Sequence, residues 1–229
     1  MRCGLATGDR IVVIAGRVPD RAPSWGAAAA QAARGAVRPV VGDPWFTEEV
    51  AGATLRVSAL AFFQVNTAGA GALVDLVAEA LTPGSDDTLL DGYSGGGLFA
   101  ATVGAAVRRV ICVESGADAV ADARHNLRRL LPGRHRVVRG RFERVAPELD
   151  EPWTITVVDP PRAGLGKPGV AAAIATEPRA IAYVSCEAAS LARDTHILGG
   201  AGYALDWVTP VDMFPQTFHI EAVASFSRV

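Results

Sequence analysis

The sequence predicts an α/β fold built on a doubly wound, mostly parallel sheet. From residue 62 onward, short apolar runs alternate with helical patterns of apolar spacing. A strand ending at Asp91 leads into a glycine-rich turn and then into a helix that begins near Leu98. The last two strand patterns have no helix between them, which predicts a C-terminal antiparallel hairpin.

Residues 1–58 carry a different pattern and predict a small α+β appendage, with the main domain over residues 59–229. The segments IVVI at 11–14 and LRV at 55–57 predict two short strands. The alanine-rich stretch 27–33 predicts a helix between them, because alanine has the highest helix propensity. The chain begins abruptly with MRCGLATGDR, so we expect a truncated region from which an upstream segment was removed.

In the main domain, helical and extended patterns follow one another in regular order. Apolar spacing predicts the first helix over Thr67–Leu81, which the Pro83-Gly84 pair terminates. The other predicted helices begin near residue 98 or cover 117–131, 169–176 and 188–198. The predicted strands end at Asp91 or cover 110–113, 136–138, 155–158, 180–184, 204–210 and 221–226.

Composition is typical of a globular protein and limits its partners. Of the 229 residues, 50% are hydrophobic and 20% are charged, which supports a sizeable core and argues against disorder. The net charge of −2 gives no global attraction for nucleic acid. Arginines nevertheless cluster between residues 124 and 144, a pattern that fits either a local binding patch or a solvated helix face.

Cysteine usage and hydropathy bear on cofactors and compartment. Cys3, Cys112 and Cys186 have the spacing of neither a disulfide framework nor a zinc or iron–sulfur site, so we expect no metal. The sequence shows no signal-peptide pattern and no apolar run long enough to span a bilayer. We therefore expect a cytoplasmic protein without membrane contact, and a monomer.

Acidic residues follow three predicted parallel strands. The turn after Asp91 is typical of nicotinamide, flavin and S-adenosylmethionine enzymes, although a tight turn without ligand is the alternative. Glu114 ends the next strand, where an acid accepts hydrogen bonds from ribose hydroxyls. Asp159 opens the run Asp-Pro-Pro-Arg, whose prolines fix φ and remove two backbone donors. This rigid ledge suits a flat nucleobase and favours S-adenosylmethionine over nicotinamide.

Two further residues have side chains suited to covalent chemistry. Cys186 immediately precedes a predicted helix, whose N-terminus favours the thiolate. Cys112 lies inside a strand and fits a small buried hydrophobe. Glu221 begins the last strand, where it either protects a sheet edge or reaches the same pocket as Cys186.

Together these segments resemble the RNA uracil-5-methyltransferase family, which forms 5-methyluridine in transfer and ribosomal RNA. The resemblance covers roughly residues 55–229 and is carried, in order, by FFQVN at 62–66, LLDGYSGGG at 89–97, VE at 113–114, VDPPRAG at 158–164, VSC at 184–186, LARD at 191–194, DMFP at 212–215 and HIE at 219–221. It implies a class I methyltransferase (Rossmann-like) fold, S-adenosylmethionine as cofactor, and methylation of uridine carbon 5 in a tRNA or rRNA partner.

The resemblance also implies residue roles. Cys186 would be the nucleophile that adds to carbon 6 of uracil, and Glu221 the base that removes the proton from carbon 5. The cofactor-binding set would be Gln64, Asp91, Tyr93, Gly95, Gly97, Glu114 and Asp159. The flipped uracil would be held by the ledge and nearby aromatic residues, which gives Phe63, Pro160, Arg162 and Phe214.

Four departures from the family pattern bear on this interpretation. We expect the usual N-terminal RNA-binding domain to be absent or nearly so, and the three cysteines do not supply the iron–sulfur ligands of some relatives. Glu187 follows Cys186 where asparagine is common, and its charge would raise the pKa of the thiol. Arg141 stands where an acid or amide often approaches the adenine.

Two rival functions stay open from the sequence. An amino-group nucleobase methyltransferase would share the Pro-Pro ledge but would not need Cys186 or Glu221. A non-catalytic remnant would bind cofactor or RNA without turnover.

Overall fold

The computed structural model describes residues 2–15, 18, 27–33, 36–217 and 219–229. The appendage contains β1 (Arg2–Cys3), β2 (Arg10–Ala15), β3 (Ala28–Ala33), β4 (Ala36–Val41), β5 (Trp45–Val50) and β6 (Ala53–Ser58). The main domain contains α1 (Thr67–Leu81), β7 (Thr88–Gly92), α2 (Leu98–Thr102), β8 (Arg109–Glu114), α3 (Ala117–Leu130), β9 (His135–Arg139), α4 (Phe142–Val145), β10 (Ile155–Val158), α5 (Gly166–Ala173), β11 (Ala180–Ser185), α6 (Ala188–Gly200), β12 (Tyr203–Val211) and β13 (Glu221–Arg228).

The main sheet has seven strands in the order β12-β13-β11-β10-β7-β8-β9. The five strands from β11 to β9 run parallel, and β13 is antiparallel to both β11 and β12. This arrangement confirms the predicted parallel sheet with a C-terminal antiparallel hairpin. The chain reverses its winding direction between β7 and β10, and ligands of such sheets bind in the crevice at that point.

Alternating side chains of the central strands fill two separate cores, one on each face of the sheet. Leu89 and Val110 pack in one core with side chains of α1 and α2. Leu90 and Ile111 pack in the other core with side chains of α5 and α6. Because both faces are covered, the parallel strands are apolar throughout their length, which is why short apolar runs predicted them.

The appendage differs from its prediction. The alanine-rich stretch 27–33 does not form a helix, because β3 pairs in parallel with β2 and antiparallel with β4. Sheet hydrogen bonds on both sides outweigh a helix preference that amounts to less than about 1 kcal/mol per residue. Within the described parts of residues 1–58 every regular element is a strand, so the predicted α+β character is wrong there.

No helix in the described part of the chain is long and apolar enough to cross a membrane. The longest, α1, has 15 residues, whereas a span needs about 20.

A buried polar network joins the appendage to the main domain. Asp122 on α3 is 0% exposed and accepts hydrogen bonds from Arg56 Nε at 2.8 Å and from Ser58 N at 2.7 Å. One turn further, Asn126 accepts from the backbone N–H of Arg56 at 2.8 Å and donates to the carbonyl of Gly96 at 2.9 Å. The network therefore links β6, α3 and the glycine turn in one set of contacts.

Replacing Asp122 with alanine tests this network. The change leaves Arg56 and the Ser58 N–H without their buried acceptor, so we expect a loss of about 3 kcal/mol in the free energy of unfolding. Urea denaturation followed by circular dichroism measures it. Asp118→Ala removes an exposed carboxylate from the same helix and serves as the control, with an expected loss below about 1 kcal/mol. Equal losses in the two variants would contradict the assignment.

Candidate active site

A cleft of about 810 Å³ lies at the carboxyl ends of the parallel strands. The segments that line it come from the β6–α1 connection, the glycine turn, the start of α3, the Pro-Pro ledge and the ends of β11 and β13. The lining residues include Phe62, Phe63, Gln64, Tyr93, Ser94, Gly95, Gly96, Glu114, Asp159, Pro160, Pro161, Arg162, Cys186 and Glu221. Residues far apart in the sequence therefore meet at one sheet edge, as the parallel-strand prediction requires.

Glu114 fixes the glycine turn against the start of α3. One carboxylate oxygen of Glu114 accepts from the N–H of Gly95 at 2.9 Å, and the other accepts from the N–H of Gly116 at 2.6 Å. Gly95 has a φ of +53°, which L side chains rarely adopt, and no atom lies within 4 Å of the position of a Cβ. The turn thus presents bare backbone to the cleft.

Two carboxyl groups lie at neighbouring strand ends. Asp91 is 1% exposed; its Oδ2 accepts from the N–H of Ala100 at 2.9 Å, and its Oδ1 has no hydrogen-bond partner among the described residues. Burial, together with the charges of Asp159 and Glu114, raises the pKa of Asp91 to about 8, against the opposing Ala100 hydrogen bond. Burial and the nearby Glu221 raise the pKa of Asp159 to about 7.

Cys186 and Glu221 face each other across an antiparallel strand pair. Ser185 pairs with Ala222 in the β11–β13 ladder, so the residue after Ser185 lies beside the residue before Ala222. Glu221 is 7% exposed and belongs to an interior strand, which rules out a role in protecting a sheet edge. Burial raises the pKa of Glu221, and Arg162 opposes that shift.

The environment of the thiol differs from the sequence expectation. Burial, Glu221 and Asp159 raise the pKa of Cys186, while Arg162 lowers it. The predicted preference for the thiolate is therefore wrong, because burial and the nearby carboxyl groups outweigh the N-terminus of α6. The charges responsible belong to Glu221 and Asp159, whereas the Glu187 carboxylate caps α6 by accepting from the N–H of Ala189.

The predicted site residues fall into two groups. Those that line the cleft are Phe63, Gln64, Tyr93, Gly95, Glu114, Asp159, Pro160, Arg162, Cys186 and Glu221. Asp91, Gly97 and Phe214 do not line it. Asp91 lies buried beneath the turn, Gly97 has a φ of +86° and packs near Ala123, and Phe214 packs against the hydrophobic core.

Two features of the site were missed by the sequence analysis. Phe62 is 70% exposed at the cleft, whereas its neighbour Phe63 is partly buried against the core. Glu143 accepts a hydrogen bond from the Tyr93 hydroxyl at 2.8 Å, and burial with this contact raises the pKa of Tyr93. The FFQ motif contained a signal for Phe62, but no local pattern links Tyr93 to an acid fifty positions later.

A second cavity of about 260 Å³ adjoins the cleft. It shares Tyr93, Glu114 and Pro161 with the cleft and adds Arg141, whose Nε lies 4.0 Å from Glu143 Oε2. The position that the sequence analysis associated with the adenine is therefore part of this cavity wall.

The site fits an organic cation better than an anion. The charge of Asp159 raises the pKa of Asp91, and the charge of Glu221 raises the pKa of Asp159. Both Asp159 and Glu221 raise the pKa of the thiol. Added positive charge therefore relieves the repulsion among these groups. Among the described residues no group of three or more His, Cys, Asp or Glu side chains has a geometry that could hold a metal ion. S-adenosylmethionine carries a sulfonium and an ammonium charge on a nucleoside, and the bare turn, the carboxylates and the cleft volume match it.

Comparisons of the sequence agree with this geometry. No protein-family model matches the chain. An uncharacterized RNA methyltransferase of Streptomyces avermitilis is 40% identical over 201 residues, which cover 83% of this chain and 44% of the relative. An uncharacterized RNA methyltransferase of Lactobacillus johnsonii is 36% identical over 190 residues, covering 82% and 42%. Over most of its length the chain is similar to these bacterial RNA methyltransferases. It spans less than half the length of these relatives.

Solved structures of methyltransferases are similar to this chain in fold. The chain is similar to the Pyrococcus abyssi tRNA (uracil-54, C5)-methyltransferase in complex with S-adenosyl-L-homocysteine, with a TM-score of 0.81, 25% identity and coverage of 98% of this chain and 58% of that chain. M. jannaschii TYW2 in complex with AdoMet gives a TM-score of 0.59 at 13% identity, with coverage of 84% and 91%, and shows the fold alone. The predicted class I methyltransferase fold is confirmed.

The raised carboxyl pKa values predict an unusual dependence of stability on pH. Asp91 is protonated in the folded chain up to about pH 8 but ionises near pH 3.8 when unfolded. The folded state therefore binds more protons in that interval, and stability contributed by this group falls as the pH rises.

Asp91→Asn removes this titration. We expect the melting temperature of the ligand-free protein to fall less steeply between pH 5 and pH 8 in the variant than in the wild type. Differential scanning fluorimetry across buffers measures it. Parallel curves for the two proteins would contradict the raised pKa, and Asp118→Asn, an exposed acid, is the control.

Proposed function

We propose that the chain is an S-adenosylmethionine-dependent RNA methyltransferase that modifies carbon 5 of uridine in transfer or ribosomal RNA. The observation that carries this proposal is the placement of Cys186 beside Glu221 at the cleft. Methylation of an amino group needs neither residue. Methylation of uracil carbon 5 needs a nucleophile and a general base that both reach the same nucleobase. The similarity to a tRNA (uracil-54, C5)-methyltransferase supports the same reaction.

The cofactor would be held by the residues at the carboxyl strand ends. Glu114 would accept from the ribose hydroxyls, and the turn around Gly95 would lie beneath the methionine end. Gln64 donates to Asp159 at 3.4 Å, so these two side chains would act together on the ligand. Asp91 would support the turn from below and contribute negative charge. When bound, S-adenosylmethionine supplies an electrophilic methyl group.

Cys186 and Glu221 would divide the covalent chemistry on the uracil. The Cys186 sulfur adds to carbon 6, which makes carbon 5 an enolate carbon able to accept the methyl group. Glu221 then takes the proton that remains on carbon 5, and the Cys186 sulfur leaves carbon 6 to restore the double bond. Arg162 opposes the raised pKa values of both side chains, so it would favour their ionised forms.

The flat walls of the cleft would hold the extruded base. Pro160 and Phe63 line the cleft near the reacting side chains, and the exposed ring of Phe62 offers a stacking surface for a base. Flipping a uridine out of a stack costs a few kcal/mol, which such contacts would offset. Phe214 does not line the cleft, and the centroid of its ring lies 6.2 Å from that of His219. It would therefore support this wall only indirectly.

The cytoplasmic location and the monomeric state stay predictions.

Cofactor binding should release protons. A cation beside Asp159 and Asp91 lowers their pKa values from about 7 and about 8, so both groups lose protons on binding near neutral pH. Titration calorimetry at pH 7 in buffers of different ionisation enthalpy measures the number released. We expect more release with S-adenosylmethionine than with S-adenosylhomocysteine, which lacks the sulfonium charge, and less in Asp91→Asn. Tight binding with no buffer dependence would contradict this electrostatic account.

A covalent adduct tests the carbon-5 reaction. RNA carrying 5-fluorouridine has no proton at carbon 5 for Glu221 to remove, so the enzyme should stall as a protein–RNA adduct through Cys186. Denaturing gel electrophoresis and mass spectrometry detect the adduct, and Cys186→Ala should abolish it. Glu221→Gln should accumulate the adduct even with ordinary uridine, because only the final proton removal is lost.

The rival functions give different outcomes. Methyl transfer that persists in Cys186→Ala would favour the amino-group methyltransferase. Cofactor binding without methyl transfer to any supplied transfer or ribosomal RNA would favour the non-catalytic remnant. Cys112→Ala changes a cysteine buried in β8 and controls for the general loss of a thiol.

A further inference from the structure

Positive charge is concentrated in one segment of the chain. Residues 117–145 contain eight arginines and three acidic residues, a formal charge of +5, whereas the whole chain carries −2. The remainder is therefore acidic, with a formal charge of −7. An anionic partner would meet attraction at this segment and repulsion over much of the rest of the surface.

The fold places several of these arginines on one surface. Arg124 on α3 donates to the carbonyl of Val137 on β9 at 3.3 Å, so the helix lies beside this strand. Arg128 follows one helical turn later on the same face. Arg139 at the end of β9 donates to the carbonyl of Ser115 at 3.4 Å. All three arginines are exposed, and β9 is an edge strand of the sheet.

The described carboxylates near these arginines have other partners. The buried Asp122 forms an ion pair with Arg56, and Glu143 accepts a hydrogen bond from the Tyr93 hydroxyl. Among the ion pairs of the described residues, Arg124, Arg128 and Arg139 have no carboxylate partner within 4.0 Å. Unpaired guanidinium groups are suited to phosphate oxygens, which they bind through paired N–H donors.

The surface is continuous with the site. Ser115, which Arg139 contacts, lines the second cavity together with Arg141 and Glu114. Glu114 also lines the main cleft. A chain of phosphates that crosses α3 and β9 therefore arrives at the side of the cleft where these cavities join.

We propose that the arginine surface, defined by Arg124, Arg128, Arg139 and Arg141, binds the phosphate backbone of the RNA substrate. This inference rests on the proposed function and adds the surface that holds the RNA outside the cleft. Charged side chains also protect an edge strand against pairing with another chain, and that role alone would give no RNA dependence.

Salt-dependent binding tests the proposal. We would measure the affinity of the full chain for a fluorescently labelled, uridine-containing transfer RNA transcript at several salt concentrations. Arg124→Gln and Arg128→Gln should each weaken binding and lower the slope of log affinity against log salt by about 1, and the double variant by about 2. Arg228→Gln is the matched control, since Arg228 lies at the end of β13 and pairs with Glu177. It should leave the slope within about 0.3 of the wild type.

Methylation kinetics separate this inference from the proposed function. Arg124 and Arg128 do not line the cleft, so the double variant should raise the KM for RNA about tenfold and leave kcat and cofactor affinity unchanged. If the wild type methylates uridine and the arginine variants bind RNA like the control, the RNA-binding role of the arginine surface is wrong and the proposed function stands. Aggregation of these variants with an unchanged salt slope would assign the arginines to edge protection. A wild type that neither binds nor methylates RNA would overturn the proposed function itself.

Discussion

The dominant physical constraint on this molecule is the convergence of carboxyl groups at one edge of a parallel sheet. Asp91 and Asp159 end neighbouring strands, and Glu221 lies close enough to raise the pKa of Asp159. In a water-poor crevice such groups destabilise one another in their ionised forms. A ligand that brings positive charge removes the repulsion, so the chemistry of the strand ends itself selects the class of ligand.

The same constraint acts on the nucleophile. The carboxyl groups that suit a cationic cofactor also raise the pKa of Cys186, and Arg162 only partly opposes them. In the proposed reaction, Arg162 would favour the thiolate, because its charge lowers the pKa of Cys186.

Rigid support for this edge comes from α3. Asp122 and Asn126 face inward and hold β6, while Asn126 also holds the carbonyl of Gly96 in the glycine turn. The outward face of the same helix carries Arg124 and Arg128. One helix thus organises the glycine turn on its buried side and, as we propose, the RNA backbone on its exposed side.

The sequence by itself determined most elements of the main domain and the strand-end chemistry, because both depend on short-range patterns. Apolar runs buried on two faces identified the strands, and the residues that follow them, such as Glu114 and Asp159, had to meet at one edge. Only the tertiary structure decided what long-range pairing controls. The β11–β13 register brought Glu221 to Cys186, and two neighbouring strands converted the alanine-rich stretch 27–33 from the expected helix into a strand. Propensity is local and weak, whereas pairing partners are distant and cooperative.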